Sequence, residues 1–293
     1  MVPLELEIPE SFYQPEERSN YLVTAERKQL WAVQLDLLNK FQEICKRHNL
    51  SYWADGGTLL GAVRHQGFIP WDDDIDIVML RDDFNKFIDF AQEELNYPYF
   101  LSAPSTDPYR CNFSAALVRE DTTMLHNNNI PNYPAHLGIQ IDIFPYDTYV
   151  EGDELTYFLS KLRQDKIDLH MLRGQLNRDK ITMDFCLGRR NCLFNEYNKR
   201  ISRLNKVNNN TLCQYEQYQP NKNKIFLRPS DSFSKDSPIG QFEMIEIPLL
   251  DNYEKVLETR YGSNWKEPKV GDSLHSVYYF STDIGYKDFL KLN

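Results

Sequence analysis

The sequence predicts an α+β fold, and three observations carry that expectation. Apolar residues recur at helical spacing in several stretches, and short runs between them alternate as strands do. Helices and strands succeed one another without a regular βαβ rhythm. The 293 residues are 41% hydrophobic and 13% aromatic, enough to bury a sizeable core.

Taken in order, residues 1–23 read as an N-terminal arm, because Pro3, Pro9 and Pro15 interrupt any helix. Thr24 is a natural N-cap, and Leu30, Val33, Leu37, Phe41 and Ile44 form the buried stripe of the helix it starts. A short strand from Leu50 to Trp53 runs into Asp55-Gly56-Gly57. Thr58 to Arg64 makes a short helix, and Asp74 to Met79 alternates acidic and apolar residues as a strand. Asp82 and Asp83 open a further helix with Phe84, Phe87, Ile88, Ala91 and Leu95 on one face. Strands are expected at Phe113–Arg119, Gly138–Phe144 and Phe242–Ile247. Residues 151–225 read as mainly helical, Asn221–Pro238 as loop, and Leu250–Tyr261 as a helix stopped by Gly262. No internal repeat or linker divides residues 24–293, so they are expected to form one domain.

The formal charge of −10 argues against a nucleic-acid partner. It is compatible with a nucleotide enzyme, since a divalent cation reverses the local sign at clustered carboxylates. No apolar run approaches the ~20 residues that span a bilayer, and the acidic N-terminus lacks a secretory pattern. The five cysteines show no CxxC pair, so neither zinc nor a disulfide framework is indicated. A cytoplasmic location is expected.

The strongest chemical signal is Asp72-Asp73-Asp74-Ile75-Asp76-Ile77. In a strand, Asp74 and Asp76 project to one face about 6–7 Å apart, while Ile75 and Ile77 face the core. Two carboxylates so placed repel unless a cation sits between them, and Mg²⁺ suits such oxygens together with substrate phosphates. A solvated acidic turn is the plainer reading, weakened by the apolar residues on either side. Asp73 faces away from the pair, and Asp72 is left open. About sixteen residues upstream, Gly56, Gly57 and Thr58 offer a close backbone approach and a helix N-terminus to a phosphate. Arg64 could pair with phosphate oxygens. Asp142, between Ile141 and Ile143, supplies a third acid if its strand lies beside that of Asp74 and Asp76. Asp147, after Pro145, reads as a turn or cap residue.

At these residues the sequence resembles the LicD family of phosphotransferases, which includes the fukutin-related proteins. The matching stretches are GGTLLGAVRHQGFIPWDDDID (56–76), VREDTT (118–123), GIQIDIFPYD (138–147) and YGSNW (261–265) followed by Leu274-His275. The resemblance implies a nucleotidyltransferase-like mixed sheet with a helical C-terminal portion, and dependence on Mg²⁺, with Mn²⁺ as an alternative. It implies transfer of phosphocholine or a related phospho-alcohol from a CDP-activated donor to a hydroxyl of a cell-surface glycan precursor, free or lipid-linked. Carried over, Asp74, Asp76 and Asp142 are the catalytic and metal-binding acids. Gly56, Gly57, Thr58, Arg64, His65 and His275 are the substrate-binding set. Glu120 stands where the family commonly has Asp. Two rivals remain: a true nucleotidyltransferase that attaches the NMP half, and a silent nucleotide- or glycan-binding module.

Secondary signals stay open at this level. His65 could touch the leaving phosphate or simply end its helix. His275 could act as acid, base or diphosphate contact. Trp53, Trp71 and Tyr278-Tyr279-Phe280 could cage a quaternary ammonium or pack in the core. Between Arg173 and Lys206 nine cations face three acids, a net +6 within a chain of net −10. That segment could rest on anionic lipid at the inner face of the membrane or present a solvated helical face.

Overall fold

The computed structural model describes residues 1–126, 136–219, 225–270 and 277–292. Within them the chain forms β1 (Glu16–Arg18), β2 (Tyr21–Val23), α1 (Ala25–Arg47), β3 (Trp53–Ala54), α2 (Gly56–Arg64), β4 (Asp76–Leu80) and α3 (Arg81–Glu94). It continues through β5 (Tyr99–Ser102), β6 (Ala115–Arg119), β7 (Thr123–His126), β8 (Ile139–Thr148), α4 (Gly152–Leu176) and α5 (Met183–Leu204). It ends with β9 (Thr211–Cys213), β10 (Leu227–Pro229), β11 (Ile239–Phe242), β12 (Ile245–Pro248), α6 (Tyr253–Tyr261), β13 (Val277–Ser281) and α7 (Tyr286–Leu292).

The expected α+β architecture is present, organised around β8. This strand of 10 residues alternates buried Ile139, Ile141 and Ile143 with half-buried Gln140, Asp142 and Phe144. It pairs in parallel with β4 and antiparallel with β6, and its last two residues pair with β9. The sheet therefore runs β10-β9-β8-β4-β3, with β5 joined through β6.

Helix α1 covers this sheet. Thr24 caps it as expected, its hydroxyl accepting the Arg27 N–H at 3.2 Å. Leu30, Val33, Leu37 and Phe41 are fully buried, each contributing roughly 1.5–3 kcal/mol through removal from water. The N-terminal arm is fastened to the same helix, with Asp36 Oδ1 accepting the N–H groups of Glu5 and Leu6 at 2.7 and 2.8 Å.

Several boundaries differ from the sequence reading. Gly56 and Gly57 belong to the first turn of α2, and the strand expected at Leu50–Trp53 is only Trp53–Ala54. The single strand expected over Phe242–Ile247 is a hairpin, β11–β12, turning at Glu243 with φ 53°. Glu243 tolerates that backbone because its carboxylate accepts from Arg18 at 2.6 Å and from the Phe68 N–H at 3.1 Å. The Asn221–Pro238 loop contains β10, whose Arg228 is buried. Asp147 is neither turn nor cap. It lies in the buried end of β8 and takes a two-pronged ion pair from Arg81 of α3 at 2.9 and 2.7 Å. The helices α4 and α5 pack together between β8 and β9, after which the chain returns to the sheet. Among the described residues, no helix is long and apolar enough to cross a membrane.

Candidate active site

Asp76 is the first residue of β4 and lies opposite Asp142 in the parallel register with β8. The strand proper starts two residues later than expected, yet the alternation extends upstream of it. Asp72, Asp74 and Asp76 are half-buried, while Asp73, Ile75 and Ile77 are buried. Three hydrogen bonds donated by backbone N–H groups fix this edge. Asp142 N–H donates to the Ile75 carbonyl at 2.9 Å, Asp55 N–H donates to the Asp76 carbonyl at 3.2 Å, and Asp76 N–H donates to Thr58 Oγ1 at 2.8 Å. Helix α1 holds the acidic segment from behind. The Trp31 indole donates to the Asp72 carbonyl at 3.0 Å and the Gln34 amide to the Asp73 carbonyl at 2.7 Å.

Crowding of these carboxylates changes their protonation. Burial, followed by the charges of Asp76, Asp72, Asp73 and Asp142, pushes Asp74 well above the usual carboxylate range. Burial pushes Asp76 up to about 8. Arg260 opposes that rise, and Asp142, Asp55 and Asp72 add to it. One oxygen each of Asp72, Asp73 and Asp74 lie within 4.8 Å of one another. Asp73 nevertheless points inward, 3.5 Å from Arg27, so the outward-facing set is Asp72, Asp74, Asp76 and Asp142. Asp72, open at the level of sequence, belongs to the cluster by position.

The glycines serve these acids directly. Gly56 has φ +57°, and a Cβ there would lie 2.5 Å from Asp76 Oδ2. A Cβ on Gly57 would overlap Asp72 Oδ2. Only bare Cα atoms let the first turn of α2 sit against two carboxylates. Thr58 is buried, with its hydroxyl turned to the strand rather than to solvent.

Other sequence candidates are placed elsewhere. Arg64 ends α2, about 12 Å along the axis from Gly56 at ~1.5 Å per residue. Its Nη1 donates to the Trp265 carbonyl at 2.8 Å. His65 is held down at about 4 by burial and by the charges of Arg64 and Arg18, so it is neutral near pH 7. His275 lies outside the described residues. Trp53 is core, with Phe233 edge-on to it at 5.2 Å, and Tyr279 stacks on Phe289 at 4.8 Å. Trp71 meets Tyr21 at 5.8 Å. Trp53, Trp71 and Tyr279 thus have separate partners, and the side chain of Tyr278 lies outside the described residues. Glu120 sits away from the acids with His136 at 2.8 Å, Tyr286 at 3.0 Å and Lys287 at 3.0 Å. The bond from His136 leads in holding it down at about 2.

Three cations at the cluster escaped the sequence reading. Arg228 of β10 donates to Asp55 Oδ1 at 3.1 Å, and Arg260 of α6 stands 3.7 Å from Asp55 Oδ2. Burial alone would raise Asp55, but these two guanidinium groups outweigh it and hold the carboxylate below its ordinary value. Arg110 lies 3.7 Å from Asp142. No local pattern marks any of them, because one comes from a loop, one from a strand and one from a helix, far apart in sequence.

Of the nine cations between Arg173 and Lys206, several are engaged internally. Arg190 is buried and faces the Leu169 carbonyl and Arg200 pairs with Asp165, while Lys199 is exposed and pairs with Glu196 on the surface. Arg178, Lys180, Arg189, Arg203 and Lys206 are exposed.

Residues 49–172 match the family model described as LicD/FKTN/FKRP, nucleotidyltransferase domain. The lipopolysaccharide cholinephosphotransferase LicD of Haemophilus influenzae is 34% identical over 127 residues, covering 43% of this chain and 46% of that protein. An uncharacterized protein of Rickettsia prowazekii is 31% identical over 126 residues, covering 41% of this chain and 47% of its own. A further uncharacterized protein, from Rickettsia typhi, is 48% identical over 59 residues, 20% of this chain and 18% of its own. The match thus spans slightly under half the length of the first two relatives. It contains Gly56, Gly57, Asp74, Asp76 and Asp142 but neither Arg228 nor Arg260. Across residues 49–172 the chain is thus similar to the nucleotidyltransferase domain of the LicD family.

Proposed function

We propose that this protein is a phosphotransferase that moves phosphocholine, or a related phospho-alcohol, from a CDP-activated donor to a hydroxyl of a glycan precursor. The observation that carries the reading is the register pairing of Asp76 with Asp142, with Asp74 beside them. Asp76 and Asp142 lie side by side on the paired strands β4 and β8, and Asp74, two residues ahead of Asp76, is half-buried as they are. The named activity of the Haemophilus relative supports the choice of phosphocholine and of a lipid-borne glycan.

The donor set fits a divalent cation. Burial and mutual repulsion lift Asp74 and Asp76 toward the protonated form, which is the condition that a hard cation relieves. Asp74, Asp76 and Asp142 would hold Mg²⁺ or Mn²⁺, with Asp72 at the rim. When bound, the metal neutralises diphosphate charge and polarises the phosphoryl group. The chain's own residues do the rest. Gly56 and Gly57 let the donor phosphates approach the first turn of α2, and Asp142 takes the proton of the acceptor hydroxyl as its oxygen bonds to phosphorus. The bond that breaks joins that phosphorus to the oxygen bridging it to CMP, and CMP departs with the bonding pair.

Release of CMP from CDP-choline or another CDP-alcohol, dependent on Mg²⁺, tests the reading. Pyrophosphate release from a triphosphate would favour the nucleotidyltransferase rival, and silence across a broad donor panel would favour a binding module. Peripheral contact with an anionic membrane is part of the same proposal. It is supported by exposed Met171, Met183 and Phe185 near the α4–α5 turn, beside Arg178, Lys180 and Arg189.

A further inference from the structure

We infer that Arg260, outside the stretch matched by the family, is the phosphate-binding cation of the site. The inference rests on the phosphotransfer reading given above. Arg260 enters from α6, and its Nη2 and Nη1 lie 3.3 and 3.4 Å from where a Cβ on Gly56 would stand. Asp76 Oδ2 approaches the same point to 2.5 Å. The guanidinium, the Gly56 Cα and the strand carboxylate therefore meet at the start of α2.

The three arginines of the cluster differ in what they can still do. The Arg228 side chain is 1% exposed and is occupied by Asp55 and by the Ile225 and Leu227 carbonyls. Arg110 donates to the Ser114 carbonyl at 2.7 Å and to its hydroxyl at 3.0 Å. The Arg260 side chain is 22% exposed, and its ion pair with Asp55 at 3.7 Å is longer than a hydrogen bond. Asp55 thus aims the guanidinium by charge and leaves its fork available to two phosphate oxygens.

The test is calorimetric titration of wild type, Arg260→Lys and Arg260→Gln with CDP and with cytidine, all in Mg²⁺, with thermal melts of each variant. Wild type should bind CDP more tightly than cytidine. Arg260→Gln should lose about ten- to a hundred-fold in CDP affinity, as for a charge-assisted hydrogen-bond pair, with cytidine unchanged. Arg260→Lys keeps the charge facing Asp55 but not the fork, and should fall between. Equal affinity of wild type and both variants for CDP overturns the inference alone, as does an equal loss for CDP and cytidine. Failure of wild type to bind CDP at all overturns the phosphotransfer reading itself, and the inference with it.

Discussion

Asp76 and Asp142 face each other across a parallel strand pair, 66 positions apart in sequence and one register step in space. The alternation that buries Ile75 and Ile77 on one strand, and Ile141 and Ile143 on the other, forces both carboxylates to the opposite side of the sheet. Packing of the core therefore builds the acidic cluster, and burial with the repulsion inside it favours the protonated form of Asp74 and Asp76.

Burial of these acids, together with their repulsion, has a pH signature. Asp76 rises from the ordinary 3.8 to about 8 in the folded protein. Between those values the native state retains a proton that the unfolded chain has released, so this contribution to stability is lost as pH rises toward 8. The melting temperature of metal-free wild type, relative to Asp76→Asn, should fall from pH 5 to pH 8. Mg²⁺ should raise the wild-type melt more at pH 8 than at pH 6, because fewer protons compete with it. A wild-type-minus-variant difference independent of pH would refute this origin of the strain.

Gly56→Ala should be the more damaging of the two glycine substitutions. It places a Cβ 2.5 Å from Asp76 Oδ2 at φ +57°, where left-handed backbone alone costs about 1–2 kcal/mol. A melt lower by about 2–8 °C and loss of transfer are expected. Gly57→Ala meets only the far end of the Asp72 side chain, which can rotate away. Its melt should stay within a few degrees of wild type while transfer falls, and equal melts for both variants would contradict the distinction.

The ion pair of Arg81 with Asp147 fastens α3 to β8, with side chains 4% and 1% exposed. Asp147→Ala leaves a buried guanidinium without its partner and should cost about 3–5 kcal/mol. The double variant Arg81→Met with Asp147→Leu should regain most of that stability. Chemical denaturation of the single and double variants measures both effects, and a single variant within 1 kcal/mol of wild type would show the pair to be dispensable, given about 3 kcal/mol as the smallest loss expected.

Much of this was legible in the sequence. Helix α1 and its Thr24 cap follow from three- and four-residue spacing, and the shared side of Asp74 and Asp76 follows from strand alternation. The nearness of Asp142 was a conditional that only strand pairing could settle. Arg228 and Arg260 were invisible, because long-range ion pairs to Asp55 leave no periodic trace. Arg64, attractive as a basic residue after a glycine turn, is the last of the nine residues of α2 and donates to the Trp265 carbonyl, a partner that no local pattern announces. The hairpin at Glu243 was hidden because the pairing of Glu243 with Arg18 is what permits its turn.

The most direct measurement is CMP release from CDP-choline and related CDP-alcohols in Mg²⁺ by wild type, Asp76→Asn and Asp142→Asn, with circular dichroism to show that each is folded. The account predicts release by wild type and a loss of at least about a hundredfold in both folded variants, as expected when an electrostatic group at a phosphoryl-transfer centre is removed. Release by either variant at the wild-type rate would contradict it.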